Sequence, residues 1–134
     1  MIKFKDNNHP PILHLHQTYK EARKKSQSSI DAITISSIDM QKLKPNSRIV
    51  NLKKIEKNQF IFYSNYIGKK SQEFNENANV SCVIFWDTIN MQIRISGKIR
   101  KQSKDKSNKH FNKRNKKKNL LAIMSNQSEI IYDF

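Results

Sequence analysis

Residues 47–55 and 59–64 are two short apolar runs separated by the polar tripeptide Glu56-Lys57-Asn58. Runs of this length, rich in Ile, Val, Phe and Tyr, predict adjacent antiparallel strands joined by a tight turn. A chain with such a hairpin near its middle has to build a sheet around it. Cations bracket this hairpin: Arg48 and Lys53 on the first strand, Lys69 and Lys70 in the basic loop after the second. Tyr63 and Ser64 close the second strand. Residues 68–77 predict a short helix entered through Gly68, with both loop lysines in its first turn. That placement opposes the helix dipole unless a bound anion completes the charge pattern. Fixed cations, a hydroxyl and backbone N–H groups at a helix entrance are the equipment of an anion site.

The flanking residues predict more sheet. Residues 1–11 read as a flexible polar arm, and 12–26 as an amphipathic helix with Ile12, Leu15, Tyr19 and Ala22 at three- and four-residue spacings. His14 and His16 stand two apart, so a helix points them to different faces and a metal role is disfavoured. Residues 32–38 are β-branched and predict a strand. Residues 80–86 are almost continuously apolar, as in a strand covered on both faces. Residues 91–100 alternate, with Met91, Ile93 and Ile95 on one face and Gln92, Arg94 and Ser96 on the other; Gly97 marks a bulge or bend. Residues 104–114 and 119–125 read as helices. The expected class is mainly β (α+β): five antiparallel strands in a small barrel with three or four peripheral helices. The expected division is an arm and helix at 1–28, the barrel at 29–128 and a tail at 129–134.

At 134 residues the chain is one domain by length, and chains this short often complete a core by self-association. Its formal charge is +15, but Lys outnumbers Arg 21 to 5 and Asn reaches 15, the bias an AT-rich genome writes on solvated surfaces. Bulk charge therefore does not identify a nucleic-acid reader. The single cysteine, Cys82, excludes an internal disulfide and a Cys-rich zinc site. No run approaches the about 18 apolar residues of a membrane span, and no secretory signal precedes the first helix. A cytoplasmic protein without membrane contact is expected.

An ordered series of short motifs resembles the pyridoxamine 5'-phosphate oxidase family. The pieces are Arg48-Ile49-Val50-Asn51-Leu52-Lys53, Phe62-Tyr63-Ser64-Asn65, Gly68-Lys69-Lys70, Phe85-Trp86, the run from Met91 to Gly97, Phe111 with Arg114, and Ser125-Asn126-Gln127-Ser128. Each is weak alone; the order and spacing carry the signal. The resemblance implies a homodimeric split β-barrel that binds FMN at the subunit interface. It also implies oxidation of pyridoxamine or pyridoxine 5'-phosphate to pyridoxal 5'-phosphate with oxygen. By position, Arg48, Lys53, Tyr63, Ser64, Lys69, Lys70, Gln92, Gln127 and Ser128 would contact FMN. Lys53, His110, Arg114 and Lys118 would surround the substrate phosphate.

Arg and Lys suit a phosphate dianion, and the Gln92 amide offers both donor and acceptor to the polar edge of the flavin ring. The flavin supplies the redox chemistry, so no protein nucleophile is expected. This chain has His110 where the family usually has Tyr, Lys118 where it has Ser, and an amide, Asn51, at an apolar strand position. The resemblance covers about the first two-thirds of a typical member. The Trp over the flavin and the Arg-x-His motif of the family's C-terminal segment have no counterpart in these residues. Two alternatives stand beside the oxidase: an FMN-binding protein of the same fold without turnover, and a basic nucleic-acid-binding module. The third rests on residues 98–118, where 11 Lys or Arg face one acid, Asp105.

Overall fold

The computed structural model describes residues 1–65, 77–101, 118–124 and 130–133, with side chains at 1–63 and 77–101. One α-helix and eight strands are described. In chain order they are β1 (Lys3–Lys5), α1 (Pro10–Lys24), β2 (Ala32–Asp39), β3 (Lys44–Glu56), β4 (Gln59–Asn65), β5 (Asn79–Trp86), β6 (Met91–Lys101), β7 (Lys118–Met124) and β8 (Ile130–Asp133). A single 3-10 turn, Asp87–Ile89, joins β5 to β6.

Six strands form a closed ring in the order β3-β2-β5-β6-β7-β4, and β4 returns to β3. All six ring contacts are antiparallel. β1 adds in parallel to the last residues of β3, and β8 adds to the first half of β6. The fold is a split β-barrel.

Alternation decides what fills it. Ile33 and Ile35 on β2, Cys82 and Ile84 on β5, and Ile93 and Ile95 on β6 are all at most 2% exposed and face inward. α1 supplies Ile12, Leu15, Tyr19 and Ala22 to the same core. Each fully buried Leu or Ile contributes about 1.5–3 kcal/mol of transfer free energy. The helix begins with two prolines, tolerated in a first turn whose N–H groups lack helical partners, and ends with Arg23 and Lys24 at its negative pole. Trp86 is anchored where α1 meets the barrel: its Nε1 donates to the Ile30 carbonyl at 3.1 Å, and its ring lies 5.9 Å from that of Tyr19.

The β3–β4 turn is two residues long, and Lys57 and Asn58 both have positive φ (50° and 62°). Such turns match the twist of a hairpin. Here the left-handed pair is held from outside. Lys57 N–H donates to the Lys5 carbonyl at 3.1 Å, and Asn58 N–H donates to Asn7 Oδ1 at 2.9 Å.

Several sequence expectations are corrected. Residues 3–5 are a strand rather than part of a flexible arm, because the end of β3 offers a free edge beside the hairpin turn. Residues 119–124 lie in β7 rather than in a helix, since β4 and β6 both need a partner there to close the ring. Among the described residues there are eight strands rather than the five expected. β5 is covered on one face only: Ser81 and Phe85 are exposed between buried neighbours. No bulge occurs at Gly97, whose pairing with Val80 sits in unbroken register; there β6 passes from β8 to β7. The bulge lies on β3 instead, between Leu52 and Lys54. The helices expected at 68–77 and 104–114 fall almost wholly outside the described residues. No described helix is long and apolar enough to cross a membrane.

Candidate functional site

β3 has two successive partners. It pairs with β2 up to Asn51, opposite Ala32, and with β4 from Leu52, opposite Phe62. Among the described pairings, β4 then runs on through Tyr63, Ser64 and Asn65 beside β7. The hydrogen-bonded wall therefore forks at Leu52. One lip is the leading half of β3, which carries Arg48. The other is the end of β4, which carries Tyr63 and Ser64.

The bulge sits at the root of the fork. Leu52 and Ile55 are both fully buried, although three positions separate them and a regular strand would turn one of them outward. One extra residue restores the phase, so Lys53 and Lys54 together stand opposite the single residue Ile61. Bulges of this kind re-aim side chains and recur beside functional sites. Lys54 is ion-paired to Glu56, Nζ to Oε2 at 3.1 Å, and Lys5 reaches the other carboxylate oxygen at 3.7 Å.

Arg48 pairs with Ile35 across β2, and Ile35 pairs with Cys82 across β5, which puts Arg48 on the inner face of the wall. Its Nη2 donates to Ser37 Oγ at 2.6 Å. Ser37 is 4% exposed, so the bond is sheltered and fixes the guanidinium. Burial pushes the Cys82 thiol up to about 12, and the positive charge of Arg48 offsets this only in part. The thiol stays protonated at neutral pH and is no nucleophile.

Tyr63 is half-buried and packs against Ile61. Ser64 and Lys118 are placed by backbone register: Ser64 pairs with Asn119, and Lys118 with Asn65, so both reach the same lip. Gln92 lies elsewhere. It is half-buried on the outer face of β6, between inward Met91 and Ile93 and opposite exposed Phe85. By register the fork carries Arg48 on one lip, Lys53 at its root, and Tyr63, Ser64 and Lys118 on the other lip, and it leaves Gln92 on the far wall. Lys69, Lys70, His110, Arg114, Gln127 and Ser128 lie outside the described residues.

Two partners were missed in the sequence. Ser37, which holds Arg48, is signalled only by a Ser-Ser pair in a β-branched strand. Glu56 is signalled by being the one acid between Asp39 and Glu73. Asn51, odd in an apolar strand, is exposed on the outer face. No group of three or more His, Cys, Asp or Glu side chains among the described residues is placed to hold a metal. Two cations, a phenol and a hydroxyl-bearing strand end fit a phosphate monoester dianion.

Comparison with known proteins follows this geometry. The family model described as pyridoxamine 5'-phosphate oxidase matches residues 19–134. A pyridoxine/pyridoxamine 5'-phosphate oxidase of Leptospira interrogans is 34% identical over 132 residues, covering 98% of this chain and 61% of the relative. One from Flavobacterium psychrophilum is 38% identical over 102 residues, covering 76% of this chain and 47% of its own length. The chain therefore spans roughly half to three-fifths of these relatives. Among solved structures, a pyridoxamine 5'-phosphate oxidase-related, FMN binding protein from Nostoc punctiforme superposes with a TM-score of 0.73 at 12% identity, over 91% of this chain and 83% of that one. PhzG from Burkholderia lata, in complex with tetrahydrophenazine-1-carboxylic acid, gives 0.73 at 21% identity, over 82% and 54%. At these identities the two structures speak for the fold.

Proposed function

Since the chain belongs to the pyridoxamine 5'-phosphate oxidase family, we propose that it binds FMN at the fork of β3 and oxidises pyridoxamine or pyridoxine 5'-phosphate to pyridoxal 5'-phosphate with oxygen as acceptor. The observation that carries this reading is the bulge at Leu52/Lys54, which sets Lys53 at the root of a fork flanked by Arg48 and Tyr63. Bound there, FMN supplies the redox chemistry.

The protein's own part is to bind, orient and shield. Arg48 and Lys53 neutralise phosphate, the Ser37 bond keeps the Arg48 guanidinium in place, and the Tyr63 ring walls the lip. Ser64, Lys69, Lys70, Gln127 and Ser128 complete the cofactor set by family position. Lys53, His110, Arg114 and Lys118 take the substrate phosphate. Gln92, on the opposite wall, serves the flavin of a second copy. A homodimer is therefore part of the proposal. Exposed Ile49 (70%) and Phe85 (58%) on the outer face, with half-buried Val83, are apolar surface that a second copy would cover.

The test is reconstitution. Purified protein incubated with FMN and pyridoxamine 5'-phosphate in air forms pyridoxal 5'-phosphate, read by its absorbance; no product over an enzyme-free control removes the oxidase reading.

A second reading keeps the FMN site and drops turnover. The chain spans 61% of its Leptospira relative, and a structural neighbour is titled as an FMN binding protein. FMN binding without pyridoxal 5'-phosphate formation supports this second reading.

A further inference from the structure

We propose that residues 2–9 are an acid-released strap on the β3–β4 hairpin, with His16 stacked on Phe4 as its proton-sensitive clasp. The strap holds the hairpin turn rather than the fork, so the inference stands whether or not FMN binds.

β1 pairs with the end of β3 through Lys3, Phe4 and Lys5 alone. So short a strand needs support at its ends to stay docked. Ahead of it, buried Ile2 donates its N–H to the Tyr19 hydroxyl at 2.9 Å. Beyond it, three asparagines interlock across the hairpin turn. Asn7 Nδ2 donates to the Ile55 carbonyl at 2.8 Å, and Asn58 N–H donates back to Asn7 Oδ1 at 2.9 Å. Asn58 Nδ2 donates to Asn8 Oδ1 at 2.6 Å, and Asn58 Oδ1 accepts from the N–H groups of Asn8 and His9 at 3.2 and 3.3 Å. Lys57 and Asn58 hold their left-handed backbone without glycine, which is unfavourable for Lys57 in particular. The strap supports that turn, so strap and turn open together.

Between these two ends Phe4 lies flat on His16 of α1, with ring centroids 4.1 Å and planes 5° apart. Burial, and after it the positive charge of Lys20 one turn along α1, hold the imidazole below its ordinary value of 6.5. Among the described residues, the neighbouring charges do not offset this. Lys3 and Lys5 flank Phe4 and point to the opposite face of β1. On β3, Glu56 is paired with Lys54 and Lys5. Tyr19, 5.4 Å from Phe4, keeps its proton because burial raises its phenol, and Asp31 accepts from that hydroxyl at 3.3 Å. A proton on His16 is therefore better accommodated with the strap off than on. Docking is fully supported above pH 6.5 and weakens as pH falls below it.

Hydrogen exchange of the full chain tests this, read by mass spectrometry on peptides covering residues 2–9 and 55–60 and corrected for the intrinsic pH dependence of exchange. Between pH 7.5 and 5.5, opening of both segments rises about three- to tenfold in wild type, ten being roughly the most that one histidine gives a unit below its ordinary value. Peptides from β5 hold their protection. In His16→Phe, which keeps a stacked ring without a titrating group, both profiles are flat. Phe4→Leu, which removes the stack and leaves His16, opens the strap already at pH 7.5 and flattens its pH dependence. Wild-type protection that is unchanged in acid, or that rises as an imidazolium drawn to the Phe4 ring face would make it rise, overturns the inference. A His16→Phe chain with the wild-type profile also overturns it, because His9 or His14 would then carry the effect.

Discussion

Lys53 and Gln92 stand on opposite walls of one barrel, three strands apart in either direction around the ring. One path runs through β2 and β5, the other through β4 and β7, and the packed core lies between them. A single ligand touched by both residues would therefore have to meet them on different copies of the chain. The proposed homodimer would meet this requirement if each chain lent its β6 wall to the fork of the other.

Mixing two defective variants checks that architecture. Lys53→Ala and Gln92→Leu each weaken FMN binding alone. Coexpressed in a two-fold dimer, they restore about a quarter of the wild-type sites, because half the dimers are mixed and each mixed dimer holds one intact site. Recovery is read as tightly bound FMN per chain. No recovery would place both residues in one chain's site, or in none.

Arg48→Ala weakens FMN binding by about 1.5–3 kcal/mol, the range for a hydrogen bond to a charged group. Ser37→Ala leaves the guanidinium in place but unanchored, and costs about 0.5–1.5 kcal/mol. Titration calorimetry on both variants checks the order. A Ser37→Ala effect equal to that of Arg48→Ala would mean that the serine itself contacts the ligand.

Cys82 gives a pH prediction. Burial holds its pKa up at about 12 in the folded chain, against 9.0 for the ordinary thiol. The folded state therefore keeps its proton where the unfolded chain loses it. This group leaves stability flat below pH 9 and erodes it as pH climbs from 9 toward 12. Thiol reagents at pH 8 should label the denatured chain quickly and the native chain only through unfolding. Rapid labelling of native protein would contradict the burial.

Leu52 is fully buried at the root of the fork. Leu52→Ala removes that packing and costs about 2–5 kcal/mol in denaturant unfolding. The same cavity loosens the bulge, so FMN affinity falls with it, whereas Ile84→Val, on β5 away from the fork, costs about 0.5–1.5 kcal/mol and leaves FMN affinity unchanged. Equal FMN losses in both would indicate a general loss of folding rather than a local one.

Much of this arrangement was legible in the chain. The hairpin was readable because its strands are rich in β-branched and aromatic residues and separated by a polar turn, and β6 because it alternates strictly from Met91 to Ser96. The apolar run at β7 was misread because six residues without clear periodicity suit a helix as well as a strand; the open edges of β4 and β6 decide it. β1 was missed because Lys-Phe-Lys is too short and polar to signal a strand, and its partner edge exists only after the hairpin forms. Lys53 was singled out by motif, but its bulge could not be, since it comes from Leu52 and Ile55 both seeking the core. The distance between Lys53 and Gln92 depends on ring closure through β7, a long-range pairing invisible in local sequence.

The central claim is that the fork binds FMN through its phosphate. Calorimetric titration of the purified chain with FMN tests it most directly, with Lys53→Ala titrated in parallel. The account predicts saturable binding at about one FMN per chain, as two-fold symmetry requires, and a marked loss of affinity in the variant. Heat that never saturates, or affinity indifferent to Lys53, would contradict it.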